Sequence, residues 1–205
     1  MKLNEQIAEL LLKHKAVFLR PEEPFTWASG IKSPVYCDNR LLISSVEGRE
    51  KVIKAFCERI KHLNVNCIAG TATAGIPWAS WIAHELKLPL IYVRSSDKDH
   101  GRQNAIEGFI PSGSKVVLIE DLISTGKSSI AAAKKLQERG IIVEQVMSIF
   151  SYGFPQVSEI FDKENLSFDS LSSFEVLAQV AYDTNVLDSH NLNLVLEWQK
   201  SVQFP

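Results

Sequence analysis

The sequence predicts an α/β domain built on a mostly parallel central sheet flanked by helices, and three observations carry that expectation. Cys67-Ile68-Ala69, Leu90-Ile91-Tyr92-Val93, Val116-Val117-Leu118-Ile119 and the run from Ile141 to Phe150 are short and largely apolar. Continuous apolar strands, unlike alternating ones, are covered on both faces. Residues 77–86 and 128–139 repeat their apolar positions at helical spacing, so strand, helix and strand succeed one another as they do around a parallel sheet. A length of 205 residues with 45% hydrophobic and 22% charged side chains suits one globular domain with a sizeable core.

Leu3, Ile7, Leu10 and Leu11 mark a first amphipathic helix, with Asn4 as its expected cap. Residues 16–40 spread Pro21, Pro24 and Pro34 among Phe18, Phe25, Trp27 and Tyr36, a segment too broken for a long helix and expected to form short strands and turns. Helical spacing returns over 46–62 through Val46, Val52, Ile53, Phe56 and Ile60. The strand at 67–69 leads into a helix over 77–86 with Pro77 suited to its first turn, then the strand at 90–93 and a polar loop. The strand at 116–119, a helix over 128–139 ended by Gly140, and a strand from Ile141 complete the regular part. Beyond Phe150 the pattern is mixed, with helices expected near 155–163, 173–182 and 190–199.

Charge and cysteine usage exclude several function classes. Twenty-two Lys and Arg against 24 Asp and Glu leave a formal net charge of −2. That balance argues against a broad basic face for nucleic acid or anionic lipid, whose affinity rests on summed phosphate neutralisation. Cys37, Cys57 and Cys67 show no CxxC spacing and no adjacent His cluster, which fits reduced thiols better than a disulfide framework or a zinc site. Lys2, Glu5 and Glu9 interrupt the apolar core a signal peptide needs, and the longest stretch free of Asp, Glu, Lys and Arg, roughly residues 62–84, holds Asn64, Asn66, Gly70, Gly75 and Pro77. A soluble cytoplasmic protein with no nucleic-acid or membrane partner is expected.

In an open α/β sheet ligands bind beyond the carboxyl ends of the strands, and three loops there are unusual. After Val116–Ile119 come Glu120-Asp121-Leu122-Ile123 and then Ser124-Thr125-Gly126-Lys127-Ser128, leading directly into a helix. Backbone N–H groups and hydroxyls at a helix N-terminus suit a phosphate monoester, while the two carboxylates would repel it unless they face sugar hydroxyls or a metal complex. The unit therefore fits a sugar phosphate. Gly126-Lys127-Ser128 also matches the end of a nucleotide-binding P-loop, but that motif needs a glycine five positions before Gly126, where Asp121 stands. The second loop, Gly70-Thr71-Ala72-Thr73-Ala74-Gly75, has small residues that let a backbone approach a second phosphate closely. The third, from Arg94 to Asn104, holds Arg94, Lys98, Arg102, His100, Asp97 and Asp99 without a large apolar side chain, so nothing anchors it in a core.

The first motif resembles the phosphoribosyl pyrophosphate signature of the type I phosphoribosyltransferases, a resemblance spanning nearly the whole chain. It implies that Glu120 and Asp121 meet the ribose hydroxyls, that the loop of Ser124, Thr125, Gly126, Lys127 and Ser128 wraps the 5′-phosphate, and that Leu122 and Ile123 between them also contact phosphoribosyl pyrophosphate. The Gly70–Gly75 loop is similar to the family's pyrophosphate loop, with Thr71 and Ala72 as contacts. Lys98-Asp99-His100-Gly101, with Arg94 before it and Glu107-Gly108 after it, looks like the catalytic flexible loop of the orotate phosphoribosyltransferases. By that likeness Arg94, Lys98 and His100 grip pyrophosphate oxygens and Asp99 orients the cations. The likeness also implies a homodimer in which the 94–104 loop completes the partner's active site.

Phe25 to Asp38, containing Ser29-Gly30-Ile31-Lys32-Ser33-Pro34, resembles the hood segment that covers the base, with Ser29, Tyr36 and Ser124 as orotate contacts. The resemblance implies one domain over 1–205, its small hood drawn mainly from about 1–45 and about 152–205. It implies Mg²⁺ as cofactor, held mainly by pyrophosphate and ribose oxygens rather than by protein ligands. Four positions depart from the enterobacterial-type pattern by losing a basic residue: Ala28, Ala74, Ser95, and Ser151 or Tyr152. Lys32, Arg40, Arg102 and Lys127 are candidates to compensate, and the same replacements resemble those of the Gram-positive branch. The expected reaction is phosphoribosyl transfer to orotate. The alternatives are transfer to a purine base or xanthine, and a regulator that senses phosphoribosyl pyrophosphate without chemistry.

Overall fold

The computed structural model describes residues 1–27, 30–95 and 105–203. Helix α1 (Leu3–Lys13) buries Ile7, Ala8, Leu10 and Leu11. Its N-cap is Lys2 rather than Asn4: the Lys2 backbone N–H donates to Glu5 Oε2 at 2.8 Å, whereas the Asn4 side chain accepts from the Glu5 N–H at 3.0 Å. The proline-broken segment forms two small antiparallel pairs, as its composition predicts. Strand β1 (Val17–Leu19), β2 (Phe25–Thr26), β3 (Lys32–Ser33) and β4 (Val35–Cys37) pair as β1 with β4 and β2 with β3. A 3₁₀ segment, Asn39–Ser44, then leads into α2 (Val46–Ile60), whose N-cap Ser45 accepts from the Gly48 N–H at 3.0 Å.

The remaining elements are β5 (Cys67–Thr71), α3 (Gly75–Leu86), β6 (Leu90–Val93), β7 (Ile106–Glu107), β8 (Lys115–Ile123), α4 (Lys127–Gln137), β9 (Ile142–Ser151), α5 (Pro155–Lys163), β10 (Phe168–Ser173), α6 (Phe174–Asp183) and α7 (Ser189–Ser201). Six strands form the central sheet in the order β10-β9-β8-β5-β6-β7, parallel throughout except for β7 against β6. All five residues of β5 are buried, as a strand covered on both faces must be. Helix α3 lies so close to the sheet that a Cβ on Gly75 would collide with the Ile119 carbonyl.

Three differences from the expected elements have local causes. Strand β8 runs four residues beyond Ile119, to Ile123, because β9 continues to pair with it through Glu120↔Ser148, Leu122↔Phe150 and Ile123↔Ser151. The two acids thus sit inside the ladder. Helix α4 stops at Gln137, before Arg139, and the left-handed Gly140 (φ 71°) follows as the Ile141 N–H returns to the Leu136 carbonyl at 3.1 Å. Strand β10 has no counterpart in the sequence reading, since Phe168 and Leu171 are its apolar residues and Asp169, Ser170, Ser172 and Ser173 fill the rest. Its parallel pairing with β9 and its contacts with α1 hold it in the sheet.

Arg59, near the end of α2, ion-pairs with Asp169 and donates through Nη1 to the Ser170 carbonyl at 2.8 Å. All three cysteines are free. Among the described residues no helix is long and apolar enough to cross a membrane.

Candidate active site

The carboxyl end of β8 and the start of α4 form the first wall. Glu120 is 5% exposed, and its carboxylate accepts from Ser128 Oγ at 3.3 Å and from the Asp121 N–H at 3.3 Å. Burial, followed by the neighbouring Asp121 charge, pushes the Glu120 carboxyl well above the ordinary carboxylate range. Burial also raises Asp121, although a hydrogen bond from Glu120 opposes it. On the other side Asn39 Nδ2 donates to the Asp121 carbonyl at 2.7 Å, so the 3₁₀ segment braces the strand end. Gly126, the N-cap of α4, has φ 77° and supplies no side-chain cap, and a Cβ there would stand 2.6 Å from the Phe161 ring. The first-turn N–H groups are therefore left to an anion.

The second wall lies beside it, at the ends of β5 and β6, where Thr71 is in register with Val93. Thr71 Oγ1 and Arg94 Nη1 are both buried without a hydrogen-bond partner. Both are donors at the ends of adjacent strands, a chemistry that suits an acceptor-rich ligand. Arg94 Nη1 stands 3.7 Å from the Glu107 carboxylate. The Arg94 N–H donates to the Ala105 carbonyl at 2.8 Å, and Lys135 Nζ donates to the Arg94 carbonyl at 3.1 Å. Arg94 and Ala105 are thereby tied to each other, and Arg94 to α4.

The third wall is a cavity of about 200 Å³ lined by Trp27, Tyr36, Leu122, Ser124 and Tyr152. The Trp27 and Tyr152 rings lie 5.0 Å apart at 50°, and Tyr152 stacks on Phe154 at 5.4 Å. Tyr152 is 3% exposed, and burial holds its phenol above its ordinary range, so it remains an O–H donor. Flat aromatic faces with a few polar groups suit a planar ring. Ser124 belongs to both this cavity and the phosphate loop.

Residues 46–161 match the phosphoribosyl transferase domain family. Over 203 residues the chain is 46% identical to orotate phosphoribosyltransferase of Listeria monocytogenes serotype 4b (strain F2365), covering 98% of this chain and 97% of that one. The chain belongs to the orotate phosphoribosyltransferase family. The same named protein of Coxiella burnetii (strain RSA 493 / Nine Mile phase I) is 48% identical over 202 residues, again 98% and 97% of the two chains. Among solved structures, Leishmania donovani UMP synthase superposes with a TM-score of 0.82 at 26% identity, over 97% of this chain but 42% of that one. The Aeropyrum pernix orotate phosphoribosyltransferase gives 0.76 at 26% identity, over 89% and 99%. The type I phosphoribosyltransferase fold expected from the sequence is thus the fold observed.

Within this orotate phosphoribosyltransferase fold, Thr71, Ala72, Arg94, Glu120, Asp121 and the Ser124–Ser128 loop meet at the carboxyl ends of β5, β6 and β8, and Tyr36 joins Ser124 at the aromatic cavity. Ser29, Lys98, Asp99 and His100 lie outside the described residues. The side chains of Leu122 and Ile123, implied as phosphoribosyl pyrophosphate contacts, have other surroundings. The Ile123 side chain is fully buried and its carbonyl accepts from the Tyr152 N–H at 3.2 Å, while Leu122 lines the aromatic cavity. Arg40, a candidate to replace missing cations, is committed to Asp38 through hydrogen bonds of 2.7 and 2.9 Å. Trp27 and Tyr152 join the cavity beyond the expected base contacts, Tyr152 from one of the two positions at which an expected cation is missing.

Proposed function

We propose that this chain transfers the 5-phosphoribosyl group from phosphoribosyl pyrophosphate to N1 of orotate, forming orotidine 5′-phosphate and pyrophosphate in pyrimidine nucleotide synthesis. The observation that carries this reading is the place of Ser124, shared between a loop built for phosphate and an aromatic cavity built for a planar base. A sugar phosphate held in that loop presents its C1′ toward the cavity.

Departure of pyrophosphate leaves positive charge at C1′ as the N1–C1′ bond forms, so catalysis needs a stabilised leaving group more than a strong base. Glu120 and Asp121 accept from the ribose hydroxyls, and a carboxyl kept partly neutral by burial repels the adjacent phosphate less. The α4 N-terminus with Ser124, Thr125, Gly126, Lys127 and Ser128 holds the 5′-phosphate. Thr71, Ala72 and Arg94 take pyrophosphate oxygens, joined by Lys98 and His100, with Asp99 orienting the cations. Among the described residues no group of three or more His, Cys, Asp or Glu could hold a metal ion. Mg²⁺, bound mainly by pyrophosphate and ribose oxygens, supplies charge stabilisation of the leaving group when present.

The active form is a cytoplasmic homodimer in which the 94–104 loop of one protomer completes its partner's site and excludes water on closing. The β1–β4 and β2–β3 pairs, with segments after residue 152, form the hood over the base. Loss of orotate absorbance on adding phosphoribosyl pyrophosphate and Mg²⁺ tests the reaction directly. Turnover of hypoxanthine or another base without turnover of orotate would overturn the substrate assignment. Lys98→Ala should cut kcat by roughly 10²-fold or more while phosphoribosyl pyrophosphate still binds, and unchanged turnover would refute the role given to Lys98.

A further inference from the structure

Trp27 and Tyr152 come from distant parts of the chain, yet their rings share a wall of the aromatic cavity. Trp27 follows β2, where its N–H donates to the Ile31 carbonyl at 2.9 Å and its Nε1 to the Val35 carbonyl at 3.3 Å, and the β2–β3 pair that carries it is two residues long on each side. Tyr152 sits in the turn after β9, next to Gly153 with φ 64°. Two consecutive residues of α7 reach both. Trp198 Nε1 donates to the Lys32 carbonyl in β3 at 2.9 Å, and its ring meets the Trp27 ring edge-on at 5.9 Å. Gln199, 2% exposed, donates through Nε2 to the Tyr152 carbonyl at 2.7 Å and the Gly153 carbonyl at 3.3 Å. Neither lines the cavity.

We propose that Trp198 and Gln199 are positioning residues for the base: by tying the β2–β3 pair and the turn after β9 to one helix, they set the spacing of Trp27 and Tyr152. This inference rests on the assignment of that cavity to the base. The ties bear on the base half of the reaction, because the end of β8 and the residue after β6 are braced by other side chains, Asn39 at the Asp121 carbonyl and Lys135 at the Arg94 carbonyl. Loss of either tie therefore loosens one substrate's pocket and leaves the other's intact.

The test is steady-state kinetics of the full chain with both substrates varied. Trp198→Phe keeps a ring and loses the donation to Lys32; Gln199→Met keeps the approximate volume and loses both donations. Each variant should raise KM for orotate roughly tenfold, the size expected for one or two lost buried hydrogen bonds, with kcat and KM for phosphoribosyl pyrophosphate held within about twofold. An orotate KM within about twofold of wild type in Trp198→Phe overturns the proposal, as does a rise in both KM values together, which is what general structural damage produces. Should Gln199→Met fail to fold, Trp198→Phe decides alone. A wild type that turns over another base and not orotate defeats the substrate assignment, and the same ratios are then read on that base. A wild type inert toward every base overturns both readings.

Discussion

Glu120 is a buried acid whose neighbour in sequence is a second acid, and its protonation has a measurable consequence. Burial and Asp121 raise its pKa in the folded protein above the unfolded value. The folded state therefore holds its proton more tightly, so the stability this group contributes is present below the ordinary carboxylate range and is lost as pH rises through the elevated value. Thermal melts of the ligand-free protein should show Tm falling over that rise, and Glu120→Gln should flatten the fall. Superimposable profiles for the two proteins would mean that the buried charge is not felt. The same substitution replaces the proposed acceptor for a ribose hydroxyl, a carboxyl that burial keeps partly neutral, and losing one such bond, worth about 0.5–1.5 kcal/mol, should lower kcat/KM by roughly twofold to tenfold.

At the scale of elements, the joint between β8 and α4 depends on one residue's backbone. Gly126→Ala forces a Cβ into the left-handed region, a cost of roughly 1–2 kcal/mol before any displacement of Phe161. For a domain of this size Tm should drop by roughly 2–8 °C, with KM for phosphoribosyl pyrophosphate rising more than KM for orotate. An unchanged Tm would show that the loop accommodates the methyl elsewhere. The same joint explains what the sequence made legible. The acids, the hydroxyls and the glycine that build it lie between Glu120 and Ser128, so a local motif spells it out. The strands at 67–71, 90–93 and 142–151 announce themselves because sheets covered on both faces require apolar runs. Strand β10 does not, because Asp169 and its serines follow no apolar pattern, and pairing with β9 together with contact from α1 recruits them. The base cavity is equally hidden: Trp27, Tyr36, Leu122 and Tyr152 are far apart in sequence, and an aromatic ring in a pocket wall looks, in sequence, like one in the core.

For the whole molecule, the sheet order places β5 between β6 and β8, so the carboxyl ends of these strands lie side by side at the proposed phosphoribosyl pyrophosphate site. Phosphoribosyl pyrophosphate with Mg²⁺ at about 100 times its Kd should stabilise the folded state by about 2.7 kcal/mol, visible as a rise in Tm of roughly 5–10 °C. No shift in a catalytically active sample would contradict a site already formed without ligand. At the far side of the same sheet, Arg59 reaches over β10 to Ser170 and Asp169. An outermost strand is a template on which a stray chain can add its own. Here a guanidinium already occupies the Ser170 carbonyl and a carboxylate stands beside it, while the opposite margin, β7, spans two residues and is soon followed by Pro111. Both margins thus discourage intermolecular strand addition, and the colloidal behaviour of the protein at high concentration depends on a residue remote from its chemistry: Arg59→Ala should scatter light on mild warming before it loses activity.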